Sequence, residues 1–280
     1  MVHSTTGDGQ SSTLDHAMID DAQARRAQAY ASQFGKPGYD DPTRMFIDQR
    51  YERYTEENQE TWRALYARQM EYLAESASAT FLAGARAVAL RPDGIPNLER
   101  INARLGPLTR WQSRAVPGYL PPRAFFACLA RRDFPTTIVI RPRDSFGYLP
   151  EPDIFHDVFG HVPLHADPDF AEFLQVYGEA ARRTDDAAEI ERLARLFWFT
   201  VEFGLIQEPA GLRLYGSGLI SSPAEAQHAL ASEEVDRRPF ELQEVCETPF
   251  EIDHFQPRLF VLEDFAQLRD AMHGYARRLL

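Results

Sequence analysis

The strongest pattern in the chain is a stripe of apolar residues spaced three and four positions apart between residues 190 and 201. This spacing places the apolar side chains on one side of an α-helix that packs against a core. The same spacing recurs around Trp62, Phe170 and Phe265, whereas strand-like runs are short and lie at residues 136–140 and 259–262. The pattern predicts a mostly α-helical fold with a minor β-sheet.

Residues 1–40 differ from the rest because they are polar and rich in Ser, Thr, Asp, Gln and Ala. We interpret residues 1–40 as a flexible N-terminal tail with a short helix at Met18–Tyr30. No repeat and no linker divides the remainder of the chain. We therefore expect one domain over residues 41–280.

The formal net charge is −12, which argues against nucleic acid or an anionic membrane as the main partner. The N-terminus lacks a secretory pattern, and no apolar run approaches the ~20 residues of a membrane helix. Only two cysteines occur, Cys128 and Cys246, which rules out a disulfide framework and is typical of a reducing compartment. We expect a cytoplasmic protein that acts on small molecules.

Residues 151–169 hold three of the eight histidines, His156, His161 and His165. On an ideal α-helix, His156 and His161 would point about 140° apart. We expect Gly160 to end the helix in a left-handed conformation and Pro163 to stop it resuming, so that His161 folds back toward His156. Two such imidazoles suit iron or zinc, although histidines near helix ends also commonly satisfy carbonyls. His165 is a rival ligand, which we interpret as a surface residue or a neighbour of the ligands.

Glu202 lies in residues 196–206, a segment that is apolar nearly all round and predicts a buried helix. A buried carboxylate must be paired or bound to metal, because an isolated buried charge costs several kcal/mol. Arg195 and Arg213 are possible partners. The alternative is a third metal ligand, since two histidines and a carboxylate form the facial triad of non-haem iron oxygenases. Zinc hydrolysis fits less well, because the chain lacks the H-E-x-x-H pattern.

Three segments, at residues 152–164, 198–205 and 215–222, resemble the tetrahydrobiopterin-dependent aromatic amino acid hydroxylases, and above all the short bacterial members that act on phenylalanine. The resemblance runs in order over residues 62–265. It implies a single aromatic amino acid hydroxylase-like catalytic domain that binds Fe(2+) and tetrahydrobiopterin or a related tetrahydropterin. The implied reaction converts L-phenylalanine and O2 to L-tyrosine.

The resemblance also implies roles for individual residues. The iron ligands would be His156, His161 and Glu202. Substrate would be bound by Arg141, which would clamp its carboxylate, and by Tyr148, Pro150, Trp198, Phe203, Gly218 and Ser221. The pterin would be bound by Val116, Gly118, Leu120, Phe125, Asp157 and Ala194, with the Phe125 ring stacked on it.

Three positions depart from animal members of the family: Leu149 replaces Thr, Pro135 replaces His, and Phe197 replaces Tyr. Tyrosine or tryptophan hydroxylation and attack at the meta carbon of phenylalanine stay open, although Trp198 favours phenylalanine. A zinc hydrolase and a non-catalytic metal-binding module are the alternatives from other classes. The chain is too short for the family's regulatory domain and tetramerisation helix, so we expect a monomer.

Overall fold

The structure, a computed structural model, describes residues 17–143 and 152–279. Helices dominate these ranges, as the apolar periodicity predicts. They are α1 (Asp21–Ala31), α2 (Glu56–Ser76), α3 (Ala79–Ala87), α4 (Leu98–Thr109), α5 (Pro122–Leu129), α6 (Pro168–Ala181), α7 (Ala187–Phe197), α8 (Ser217–Ser221), α9 (Pro223–Ala231), α10 (Leu242–Glu247) and α11 (Phe265–Arg278).

The strands form two small sheets. The first pairs β1 (Gln112–Val116) with β2 (Asp133–Thr137) in parallel. The second has the order β4-β3-β6-β5, in which β3 is antiparallel to β4 and parallel to β6, and β5 is parallel to β6. Its strands are β3 (Leu205–Glu208), β4 (Gly211–Leu214), β5 (Asp236–Pro239) and β6 (Arg258–Leu262). The predicted minor sheet is therefore confirmed.

The long helices begin where the sequence supplies caps. In α2 the Thr55 side chain accepts from the Asn58 backbone N–H and the Asn58 side chain accepts from the Thr55 N–H, which satisfies two free donors at the helix start. Trp62 and Leu73 on the same helix are fully buried. Asp167 caps α6 in the same way by accepting from two backbone N–H groups. These helices bury the stripes that the sequence pattern identifies.

Two predicted elements have different bounds. The strand expected at residues 136–140 is β2, which ends at Thr137; Ile138 and Ile140 are buried beyond it. The helix expected over 196–206 instead ends as α7 at Phe197, continues as a π-helical segment over Trp198–Glu202, and gives way to β3. Apolar residues on every side indicate burial, and burial suits a helix or a central strand equally well.

The described part of the N-terminal region is not a loose arm. Met18 is fully buried, Ala27 and Tyr30 are nearly so, and the Tyr30 hydroxyl accepts from the Asp41 N–H at 3.1 Å. The Arg53 guanidinium donates to the Ile19 carbonyl at 3.0 Å. Helix α1 therefore packs on the domain, because alanines allow close approach where larger apolar residues are few.

One large apolar core holds most of the helices together. At its centre the Phe155 and Phe159 rings stack with centroids 4.5 Å apart. Within the described ranges, no helix combines the length and the apolar character that crossing a membrane requires.

Candidate active site

The two histidines converge because the backbone that carries them is a π-helix, Phe155–His161. Such a turn closes hydrogen bonds between residues five apart, so His156 and His161 lie on the same side of it. Their Nε2 atoms are 3.1 Å apart. The expected convergence is therefore present, but its expected cause is wrong: Gly160 does not have a positive φ angle. Gly160 instead permits close packing, since a Cβ there would lie 3.1 Å from the Ser217 Cβ.

Glu202 reaches the same point from the second π-helical segment. Its Oε2 lies 3.6 Å from the His156 Nε2, and its Oε1 lies 3.4 Å from the His161 Nε2. One ligand atom from each of the three residues falls within 4.8 Å of the others. Gly216 permits this approach, because a Cβ there would lie 2.4 Å from the Glu202 carbonyl oxygen.

Helix α8 holds the ligands in place through two serines. The Ser217 hydroxyl donates to the Glu202 Oε2 at 2.8 Å. The Ser221 hydroxyl donates to the Ser217 carbonyl at 2.7 Å and lies 2.9 Å from the His156 Nδ1. Because the Ser221 proton is already used, Nδ1 carries the proton of the neutral imidazole and Nε2 keeps its lone pair for a metal.

The charge state of the cluster suits a cation. Burial lowers the pKa of His156, which favours the neutral imidazole. Burial alone would raise the pKa of Glu202, but the two imidazoles and the Ser217 hydroxyl outweigh it and hold that pKa well below its usual range. Neither arginine proposed as a partner contacts Glu202: Arg195 bonds to Glu191 and to backbone carbonyls, and Arg213 to backbone carbonyls. Two imidazoles and a charged carboxylate fit a divalent first-row metal.

A cleft opens beside the cluster, and most of the predicted pterin residues line it. Its walls combine the three candidate metal ligands with aromatic, proline and backbone surfaces: Val116, Gly118, Tyr119, Leu120, Phe125, Phe134, Pro135, Thr137, Pro152, Asp157 and Phe197. Two departures from the animal members, Pro135 and Phe197, are thus cleft residues. Ala194 lies elsewhere, on a cavity next to Phe250 and Arg195.

Asp157 is the acidic group of this cleft. Its Oδ2 accepts from the Thr137 backbone N–H at 2.6 Å. Burial raises the pKa of Asp157 to about 6. The residue therefore presents a hydrogen-bonded carboxyl group to whatever occupies the cleft.

Arg141 is a buried cation held by a buried carboxylate. Its Nε donates to the Asp153 Oδ2 at 2.8 Å and its Nη2 donates to the Asp153 Oδ1 at 2.9 Å. Asp153 also accepts from the backbone N–H of His156 at 3.0 Å. One carboxylate thus fixes both the predicted substrate clamp and the start of the metal-binding turn, a role that the sequence analysis missed although Asp153 lies in the same motif.

The other predicted substrate residues pack around the ligand helix. Trp198 and Phe203 are buried with ring centroids 4.5 Å apart, and a Cβ on Gly218 would lie 3.0 Å from the Phe203 ring. Ser221 contacts His156, as described above. The predicted contacts of Tyr148 and Pro150, and the departure at Leu149, lie outside the described residues.

His165 is not on the surface, contrary to one of its two interpretations. Its ring is fully buried and stacks on Trp111 with centroids 4.8 Å apart. Neither ring nitrogen has a hydrogen-bond partner within the described part of the chain. Phe134 lies between His165 and His161, with each centroid 4.8 Å from the Phe134 ring centroid.

A buried set of two imidazoles and one carboxylate, open on one side to an aromatic-walled cleft, is the donor set that mononuclear non-haem iron oxygenases use. The comparisons with known proteins agree with this class. Residues 7–280 match the family model described as biopterin-dependent aromatic amino acid hydroxylase. The chain therefore belongs to that family, and the predicted family, fold class and enzyme class are confirmed.

The relatives are close in sequence and in structure. A phenylalanine-4-hydroxylase of Caulobacter vibrioides is 46% identical over 224 residues, which cover 80% of this chain and 76% of that protein. One of Ralstonia nicotianae is 44% identical over 225 residues, covering 80% and 72%. The crystal structure of Chromobacterium violaceum phenylalanine hydroxylase with iron(III) and 7,8-dihydrobiopterin has a TM-score of 0.81 at 37% identity, covering 93% of this chain and 92% of that one.

Proposed function

We propose that the protein is an iron- and tetrahydropterin-dependent monooxygenase that converts L-phenylalanine to L-tyrosine with O2. The observation that carries this proposal is the convergence of His156, His161 and Glu202 at a cleft that contains Phe125 and Asp157. The bacterial relatives named above carry the same activity in their names.

His156, His161 and Glu202 would hold iron at the wall of the cleft, where dioxygen and the substrates could reach it. Iron and a reduced pterin, when bound, supply the activation of dioxygen. Phe125 offers an aromatic ring for a pterin to stack on, and the Asp157 carboxyl offers a hydrogen-bonding group. Ser217 and Ser221 keep Glu202 and His156 oriented while substrates exchange.

Arg141 would bind the substrate carboxylate. Asp153 holds the Nε–Nη2 edge of the guanidinium, and a bidentate guanidinium suits the binding of a carboxylate. The buried pair fixes the guanidinium plane before substrate binds, which lowers the entropy cost of binding. With its carboxylate fixed, the ring of an aromatic amino acid would extend toward the metal.

Oxygen uptake tests the proposal directly. The purified protein would be assayed with Fe(2+), a tetrahydropterin and each of phenylalanine, tyrosine and tryptophan, and the products separated by chromatography. We expect phenylalanine-dependent oxygen uptake that yields para-tyrosine and that disappears in the Glu202→Gln variant. If the product is meta-tyrosine, the proposed para position of attack is wrong. If oxygen is taken up only with tyrosine or tryptophan, the proposed substrate is wrong. Hydrolytic activity with zinc as the sole metal, and no oxygen uptake with iron, would overturn the oxygenase proposal.

We also propose a cytoplasmic monomer with a hyperbolic dependence on phenylalanine. Both cysteines are buried free thiols whose pKa values burial raises, Cys128 to about 12 and Cys246 to about 11, which fits a reducing compartment. Exposed large apolar side chains lie on separate segments of the described chain, such as Leu108 and Phe255. Light scattering that finds a dimer or tetramer would contradict the monomer.

A further inference from the structure

The indole of Trp198 packs against two phenylalanine rings. The Phe250 ring stacks on it with centroids 4.4 Å apart and an interplanar angle of 13°. The centroid of the Phe203 ring lies 4.5 Å from that of the indole, with an interplanar angle of 33°. Trp198 also begins the π-helical segment that ends at the ligand Glu202. A shift of the indole would therefore be transmitted to both neighbouring rings.

One buried amide holds the remaining polar edge of this indole. Gln256 is only 2% exposed, and its side-chain Oε1 accepts a hydrogen bond from the Trp198 Nε1–H at 3.0 Å. Its Nε2 donates to the carbonyls of Glu251 at 2.7 Å and His254 at 2.9 Å. An indole N–H only donates and a carbonyl only accepts, so the amide has one satisfied orientation.

Gln256 thus joins a surface segment to the interior. Glu251, Asp253 and His254 are exposed, yet the backbone of their segment is tied through Gln256 to a buried ring. Phe250 at the start of the segment covers the same ring. The segment and Trp198 are therefore positioned together and not separately.

We propose that Gln256 is a positioning residue for the substrate ring: it fixes the plane of Trp198 and holds residues 250–255 against it. This proposal rests on the proposed function, in which Trp198 is a wall of the aromatic substrate pocket. Gln256 does not touch the reacting atoms. It sets how tightly the pocket encloses an aromatic ring, and so how well oxygen activation is coupled to hydroxylation of the ring.

The test compares Gln256→Leu with Gln243→Leu, a matched change at an exposed glutamine whose side chain bonds to Glu247 on the same helix. Calorimetry would measure L-phenylalanine binding to the metal-loaded protein, and a coupled assay would measure tyrosine formed per pterin oxidised. Gln256→Leu removes the bond to the indole and the two bonds to the Glu251 and His254 carbonyls, and we expect a five- to tenfold weaker binding of phenylalanine and a lower coupling ratio. The metal affinity should stay unchanged, and Gln243→Leu should match the wild type in both measurements.

The Trp198→Phe background separates positioning from a general loss of structure. Because phenylalanine has no N–H, Gln256→Leu should cause a smaller binding loss in the Trp198→Phe background than in the wild type. Equal losses in both backgrounds, or wild-type binding and coupling in Gln256→Leu, would overturn the proposal. If Gln256→Leu does not fold, Trp198→Phe alone must still lower the coupling ratio. A wild-type protein that hydroxylates no aromatic amino acid would instead overturn the proposed function.

Discussion

The Nδ1 of His156 lies 2.9 Å from the hydroxyl oxygen of Ser221, whose own proton goes to the Ser217 carbonyl. This contact selects the tautomer that presents Nε2 to a metal. It also connects one candidate metal ligand to helix α8, which carries the serine that bonds Glu202. The geometry of the proposed ligands therefore depends on the hydroxyl groups of Ser217 and Ser221.

Ser221→Ala should weaken metal binding about tenfold, the lower end of what loss of a ligand's hydrogen-bond partner costs. The imidazole would lose its fixed tautomer and orientation. Titration of Fe(2+) or Co(2+) against a competing chelator measures the effect. Ser222→Ala is the control, since that hydroxyl caps α9 and contacts no ligand. Equal metal affinities for Ser221→Ala and the wild type would show that the contact does not orient His156.

Arg141→Lys should raise the KM for phenylalanine by at least tenfold, because an ammonium cannot form the planar pair of bonds to a carboxylate. Steady-state kinetics at saturating pterin provide the measurement. Arg143→Lys is a matched change at an exposed arginine that pairs with Glu60, and we expect it to be silent. A wild-type KM in Arg141→Lys would exclude this residue as the carboxylate clamp.

His165→Leu should stabilise the protein by about 1 kcal/mol, because it replaces a buried ring with unpaired nitrogens by an apolar side chain. Urea unfolding at pH 7.5 measures the change. Trp111 and Phe134 provide an apolar environment that leucine can fill. A loss of stability would mean that the ring nitrogens bind an internal water molecule whose bonds leucine cannot replace.

The same variant should change the pH dependence of stability. Burial lowers the pKa of His165 well below its usual value, so below pH ~6.5 the unfolded chain takes up a proton there that the folded chain does not. Protonation of the unfolded chain at this position therefore has no effect above pH ~6.5 and destabilises the folded state increasingly as the pH falls. Between pH 7.5 and pH 5, the free energy of unfolding of His165→Leu should fall less than that of the wild type. Parallel curves of unfolding free energy against pH would show that burial does not keep His165 neutral.

Met18→Ala should destabilise the domain by about 2 kcal/mol, the lower end for a buried methionine. Met18 is fully buried just before α1. Thermal unfolding would compare it with Leu108→Ala, a truncation of an apolar side chain that is 51% exposed. If Met18→Ala melts at the wild-type temperature, residues 17–31 contribute nothing to folding, as the sequence pattern alone suggested.

The ligand set could be inferred from sequence because residue chemistry is informative: a carboxylate amid apolar residues and a close pair of histidines both require a partner. The π-helical backbone that brings these residues together could not be predicted from sequence, because a π-turn produces no periodic pattern in a short apolar segment. The partners of the ligands were missed for a different reason. Gln256 is 58 residues from Trp198 in the chain, and only the folded contact distinguishes it from any other glutamine.

Helix α1 shows a similar limit. Its buried face is largely alanine and tyrosine, and its composition looks like that of a solvated segment. These small residues are buried because the helix lies close to the rest of the domain, and a hydropathy pattern does not reveal such close packing. The Trp62 and Phe170 stripes, by contrast, were located correctly because large side chains repeat at helical spacing.

The two π-helical segments, Phe155–His161 and Trp198–Glu202, have a consequence for how the chain can diverge. A π-turn holds one more residue than the α-turn it replaces, so winding the residues of Phe155–His161 as an ordinary α-helix would point His161 about 140° away from His156. His161 would then face away from its partners. Lineages that keep this chemistry can therefore exchange many side chains in these segments, but they must keep the wide turn itself.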